Sequence, residues 1–196
     1  FRKMSNAVVI FSSFRVPGNR LSGQIPQNAF LKNPGVIIFS VGWNNLSGPI
    51  PSGLGGLHRL RLLYLNSNNL NGTLPAETFI SPNLKWAYFG GNQLTGSIPE
   101  EWTTMDDTSL ITLSVGGNQL SGPIPSGLAD LSPDSFAVDN NRFTFKDIIP
   151  LLGNWSSGML NYYPQANFGQ TRNITAALGQ DFSLSFDEVS HADNVY

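Results

Sequence analysis

The sequence predicts a solenoid of about six coils, each giving one short strand to a shared parallel sheet, and three observations carry that prediction. One phrase recurs: NRLSGQIP at 19 to 26, NNLSGPIP at 44 to 51, NNLNGTLP at 68 to 75, NQLTGSIP at 92 to 99 and NQLSGPIP at 118 to 125. A shortened sixth copy, NRFTF, begins at Asn141. The lead asparagines Asn19, Asn44, Asn68, Asn92, Asn118 and Asn141 stand 25, 24, 24, 26 and 23 residues apart by subtraction. Apolar residues also recur eight, five and three places before each asparagine.

Those apolar places define the core. They hold Phe11, Phe14, Val16; Val36, Phe39, Val41; Leu60, Leu63, Leu65; Leu84, Ala87, Phe89; Leu110, Leu113, Val115; and Pro133, Phe136, Val138. The last two of each set alternate with polar or mixed positions, the period of a strand, so stacked coils form a parallel sheet. A single coil cannot bury its own apolar face, and stability has to come from its neighbours. The lead asparagine can turn inward and bond backbone groups of the adjoining coil that would otherwise be buried unpaired. Gly23, Gly48, Gly72, Gly96 and Gly122 allow backbone angles that a side chain hinders, and the prolines of the Ile-Pro and Leu-Pro pairs set an extended return path.

The period lies in the leucine-rich-repeat range of about 20 to 29 residues. The pattern LxxLxLxxNxLxGxIP, held from about residue 8 to 143, resembles the plant-specific class of leucine-rich repeat. That resemblance implies a parallel sheet on the concave face, an irregular or 3-10 convex side, a second short strand at the Leu-x-Gly-x-Ile-Pro segment and a twisted superhelix. Typical plant extracellular members carry cysteine-rich caps, whereas this chain has no cysteine. The departure argues against a plant receptor or plant inhibitor. Phe143, Phe145, Ile148, Ile149, Leu151 and Leu152 are placed to cover an open end, and residues 144 to 169 look like the closing cap of cysteine-free secreted or surface proteins of Bacteroidota-like bacteria. Residues 170 to 196 contain NITAALGQDFSLSF, a hairpin signal, read either as packing on the cap or as the start of an immunoglobulin-like domain. The segment Phe1-Arg2-Lys3-Met4 begins inside a repeat, so the chain is expected to be part of a longer polypeptide or assembly.

Composition narrows the function. With 11 Lys+Arg against 13 Asp+Glu there is no basic surplus for nucleic acid. The lack of cysteine removes disulfides, thiolate nucleophiles and Cys-ligated zinc. No apolar run is long enough for membrane insertion, and no export signal lies within the chain. His58 and His191 have no nucleophile beside them, and Glu100-Glu101 and Asp106-Asp107 are adjacent carboxylates that diverge, so neither enzyme chemistry, a metal nor a cofactor is implied.

A binding surface is the stronger reading. Side chains six, four and two places before each asparagine project from the concave sheet, and Tyr64, Trp86 and Tyr88 cluster at its middle. The predicted ligand-binding set is Arg15, Ser40, Trp43, Tyr64, Asn66, Trp86, Tyr88 and Ser114. Exposed Tyr and Trp give large contact area at little entropic cost. A glycan or a protein segment fits this uncharged face, and the predicted function is a non-catalytic binding or adhesion module, secreted or at the cell surface. A structural spacer in a larger surface protein is the alternative. Ice binding is disfavoured because the concave row is irregular and holds few threonines. Asn45-Leu46-Ser47, Asn71-Gly72-Thr73, Asn154-Trp155-Ser156 and Asn173-Ile174-Thr175 match the N-glycosylation acceptor pattern.

Overall fold

A computed structural model describes residues 12 to 30, 33 to 77, 81 to 104, 110 to 155 and 158 to 166. The chain winds as a solenoid whose core lies between two parallel sheets. The first contains β1 (Ser13–Arg15), β3 (Ile38–Ser40), β5 (Leu62–Tyr64), β7 (Trp86–Tyr88), β9 (Thr112–Ser114), β11 (Ser135–Ala137) and β12 (Met159–Asn161), in that order. The second contains β2 (Ser22–Gln24), β4 (Asn45–Pro49), β6 (Asn69–Thr73), β8 (Gln93–Gly96) and β10 (Gln119–Leu120). The return side carries 3-10 turns at Ser52–Gly56, Glu100–Thr104 and Ser126–Leu128.

Register turns the sequence period into a core. Phe14, Phe39, Leu63, Ala87, Leu113, Phe136 and Leu160 stand opposite one another across the first sheet as one column. From Val36 onward every described residue of the predicted apolar set is buried. Ala87, the small member of the column, shares its coil with Phe89 and Trp102, two fully buried rings whose centroids are 5.6 Å apart. Phe14 departs from the expectation. It is 36% exposed in the first described strand, where it stacks on Phe39.

The asparagine ladder is the polar counterpart of that column. Asn118 is typical: its Nδ2 donates to the carbonyls of Val115 and Gly116 in its own coil and of Phe89 in the preceding one. Its Oδ1 accepts the backbone N–H of Leu94 at 3.0 Å. Asn44, Asn68, Asn92 and Asn141 repeat the arrangement, whereas Asn19 is exposed and, among the described residues, bonds within its own coil.

The residue before each ladder asparagine is left-handed: Gly18, Trp43, Ser67, Gly91, Gly117 and Asn140 have φ between 51° and 66°. That turn ends the strand and swings the asparagine into the core. The phrase glycines Gly23, Gly48, Gly72, Gly96 and Gly122 are left-handed too, with φ between 77° and 87°, which only glycine adopts readily.

Two features of the closing segment differ from expectation. Helix α1 (Phe145–Asn154) starts with a capping box in which Thr144 and Asp147 bond each other's backbone N–H. It buries Ile148 and Leu151, but Ile149 points outward and is 46% exposed. The segment also extends the first sheet, where β12 adds a seventh strand in register with β11. Gln165 then occupies the ladder place, 24 residues after Asn141. Its Oε1 accepts the N–H groups of Asn141 and Phe143, and its Nε2 donates to Val138 and Tyr162. Leu160 and Tyr162, five and three places before Gln165, were the available signal. The hairpin at 173 to 186 and the paired Asp106-Asp107 lie outside the described residues, as does Phe11.

Candidate functional site

Alternation along the strands of the first sheet sends side chains four places before each ladder residue to the face away from the core. Arg15, Ser40, Tyr64, Tyr88, Ser114, Ala137 and Asn161 therefore form one continuous row. Parallel strands lie about 4.8 Å apart, close to the thickness needed by two stacked rings. Tyr64 and Tyr88 use that spacing: their centroids are 4.4 Å apart and their planes 22° from parallel. Both are half-buried, and Trp86, half-buried as well, stands opposite Leu62 in the adjoining row.

The next coils offer little bulk. Beyond Tyr88 the row continues with Ser114 and Ala137, and two places before the ladder come Gly90 and Gly116. A Cβ on Gly90 would lie 2.9 Å from the Gly116 carbonyl oxygen, so the close approach of the two backbones requires glycine. A Cβ on Gly116 would lie 2.6 Å from Asp139 Oδ1. The result is an aromatic ridge over Tyr64, Trp86 and Tyr88 bordered by coils of small side chains, with Asp139 Oδ1 taking the room beside Gly116.

The Tyr64 hydroxyl ionises above the ordinary tyrosine range, first because burial disfavours the phenolate and then because Tyr88 hydrogen-bonds it and opposes a second negative charge. A raised folded-state pKa means the associated stability is complete below about pH 10 and is lost as pH rises through the folded value. Alkaline titration of tyrosinate absorbance is expected to show one late-ionising group that vanishes in Tyr64→Phe. An unchanged set of titration midpoints in that variant would contradict the pairing.

Other predicted residues are placed less uniformly. Ser40 is a correction: it is buried, only 6% exposed, in the row between Arg15 and Tyr64 and presents little surface to a ligand. Arg15 is exposed on β1. Asn66 is half-buried, its Oδ1 filling the room that a side chain at Gly42 would need, and that oxygen has no partner among the described residues. Trp43 is 60% exposed and takes the left-handed turn position at φ 53°. A bulky residue in that region costs on the order of 1–2 kcal/mol. Trp43→Asn, which installs the residue type found at the equivalent Asn140, is therefore expected to hold or raise the denaturation midpoint. A drop beyond about 1 kcal/mol in urea unfolding would show that the indole packs rather than projects.

Among the described residues no cluster of His, Asp and Glu could hold a metal ion, and no helix is long and apolar enough to cross a membrane. His58, Glu100 and Glu101 are exposed on the return side, away from the aromatic face.

Comparison with known proteins agrees with this geometry. The Leucine Rich Repeat family model matches residues 59–79 and 109–131. Among solved structures, the chain is similar to the leucine-rich-repeat ectodomain of the plant membrane receptor kinase GASSHO1/SCHENGEN3 from Arabidopsis thaliana, in complex with CASPARIAN STRIP INTEGRITY FACTOR 2. The identity is 30% and the TM-score 0.65, over 71% of this chain and 17% of that one. It is also similar to the Arabidopsis receptor kinase HAESA, in complex with the peptide hormone IDA and the co-receptor SERK1, at 31% identity and a TM-score of 0.63. That match covers 67% of this chain and 22% of that one. A third likeness, to the BIR3–SERK2 complex from Arabidopsis thaliana, has 32% identity and a TM-score of 0.56 over 66% of this chain and 68% of that one. The chain thus spans about a fifth of the two receptor ectodomains. No curated protein matches its sequence. The resemblance of residues 144 to 169 to bacterial surface proteins has no counterpart among these three structures, which are from Arabidopsis.

Proposed function

We propose, from the premise that the chain is a leucine-rich-repeat solenoid, that it is a non-catalytic binding module of a secreted or cell-surface protein and that a protein segment is its ligand. The observation that carries the reading is the stacked Tyr64–Tyr88 pair beside Trp86, half-buried on the outward face of the first sheet and bordered by the small residues Gly90, Ser114 and Gly116. A stacked aromatic ridge offers a large anchor at little ordering cost, and the small side chains beside it leave a bound segment room to lie along the sheet. Arg15, Asn66, Trp43 and Ser114 are the flanking contacts. Two similar ectodomains were solved with ligands, a peptide hormone in one case. This favours a protein segment over a glycan for an adhesion surface of the same build.

The test is selection of peptides from a random display library on the immobilised chain, with a glycan array run in parallel. Selected peptides are expected to lose about 30-fold or more in affinity on the Trp86→Ala/Tyr88→Ala variant, the hot-spot scale of about 2 kcal/mol. Peptides that bind the variant equally well would move the site off this face, and a glycan hit lost in the variant would replace the protein ligand.

A further inference from the structure

The second sheet faces away from the aromatic ridge, and nothing in the binding reading uses it. Its outward side chains are small and polar, because Leu46, Leu70, Leu94 and Leu120 occupy the alternate, inward positions. Three N-glycosylation acceptor triplets have their asparagine among the described residues, and the fold treats them differently. Asn154 already donates its Nδ2 to the Pro150 carbonyl. At Asn45 the hydroxyl of the triplet, that of Ser47, is half-buried and reaches back to the Gly23 carbonyl.

Asn71 is unlike either. It sits on β6, the central strand of the second sheet, between Pro49 and Gln93. Asn71 and Thr73 are both exposed and project to the same side of the strand, while Leu70 and Leu74 are buried on the other. The Asn71 amide has no hydrogen-bond partner among the described residues. Gly72 between them is left-handed at φ 77°, and even a Cβ added there would meet nothing closer than Pro49 Cβ at 3.6 Å. The acceptor amide and the hydroxyl-bearing Thr73 are thus exposed together on one side of the strand.

We infer that Asn71 is an N-glycan attachment site. In the transfer, Asn71 Nδ2 attacks the anomeric carbon of an oligosaccharide carried on a lipid pyrophosphate. The new bond is anomeric carbon to Nδ2, the bond that breaks is anomeric carbon to phosphate oxygen, the amide loses one proton, and the lipid pyrophosphate departs. Nothing is oxidised or reduced. A glycan at Asn71 covers the middle of the polar sheet and leaves the Tyr64–Tyr88 face bare, so it restricts association to the ridge side.

The experiment translates the full chain, behind a cleavable export signal, into glycosylation-competent microsomes, and examines only protease-protected product by mass spectrometry with and without peptide N-glycosidase. The Asn71 peptide is expected to carry one glycan that the glycosidase removes, leaving aspartate. Asn71→Gln and Thr73→Ala should each lose that one glycan, and Asn45→Gln should keep it. Protected chain whose Asn71 peptide is unmodified overturns the inference, as does a glycan at Asn71 that persists in Thr73→Ala. Neither result bears on ligand binding, which is measured separately.

Discussion

Asn118→Ala is expected to lower the unfolding free energy by about 3–4 kcal/mol, because it strips a buried ladder position of four hydrogen bonds and leaves the Leu94 N–H without its acceptor. Each buried backbone group left unpaired costs about 1–3 kcal/mol. Water cannot easily take over, since Asn118 is 8% exposed and the carbonyls it serves belong to two adjacent coils. Asn19→Ala is the control: that residue is exposed and, among the described residues, bonds the carbonyls of Val16 and Pro17 of its own coil, so its loss is expected to stay below about 1 kcal/mol. Urea unfolding of both variants reads the difference directly. Equal losses would mean that the ladder stabilises a coil from within and does not tie coils together.

Trp102→Ala is expected to be at least as severe, about 3–5 kcal/mol, the usual range for removing a large buried aromatic side chain. Trp102 is fully buried, stacks on Phe89 and sends its Nε1–H to the Pro75 carbonyl of the preceding coil at 3.2 Å. The column residue in the same coil is the small Ala87, which leaves Phe89 as the ring that has lost its stacking partner. Trp102→Phe retains most of the volume and loses only the hydrogen bond, and should cost much less. A cost for Trp102→Ala no greater than for Trp102→Phe would show that the coil relaxes around the missing ring. Because coils contribute to stability largely through their neighbours, unfolding probes at Leu65 and Leu113 should shift together in the alanine variant.

The period, the core column and the ladder were legible in the sequence because each coil repeats the same short-range demands. An apolar residue every coil, an inward asparagine and a left-handed glycine are local requirements, and repetition makes them visible. The resemblance drawn from the same residues also anticipated the second sheet. The seventh coil was harder to see: glutamine replaces asparagine at 165, yet Leu160 and Tyr162 kept the apolar places, and a longer amide side chain makes equivalent bonds to Asn141 and Phe143.

Tertiary structure alone decided what the exposed rows present. Alternation in sequence assigns Ser40 and Tyr64 to the same face, but only the packed neighbours bury the serine and leave the tyrosine half open. Alternation likewise cannot show that Tyr64 and Tyr88, 24 residues apart, meet at stacking distance, since that depends on the register of two strands. Nor can it show that Trp43 occupies a left-handed turn, or that Asn71 is exposed on the second sheet where Asn154 is engaged. Repeat position sets which way a side chain points, whereas accessibility, pairing and strain depend on the residues that adjacent coils place beside it.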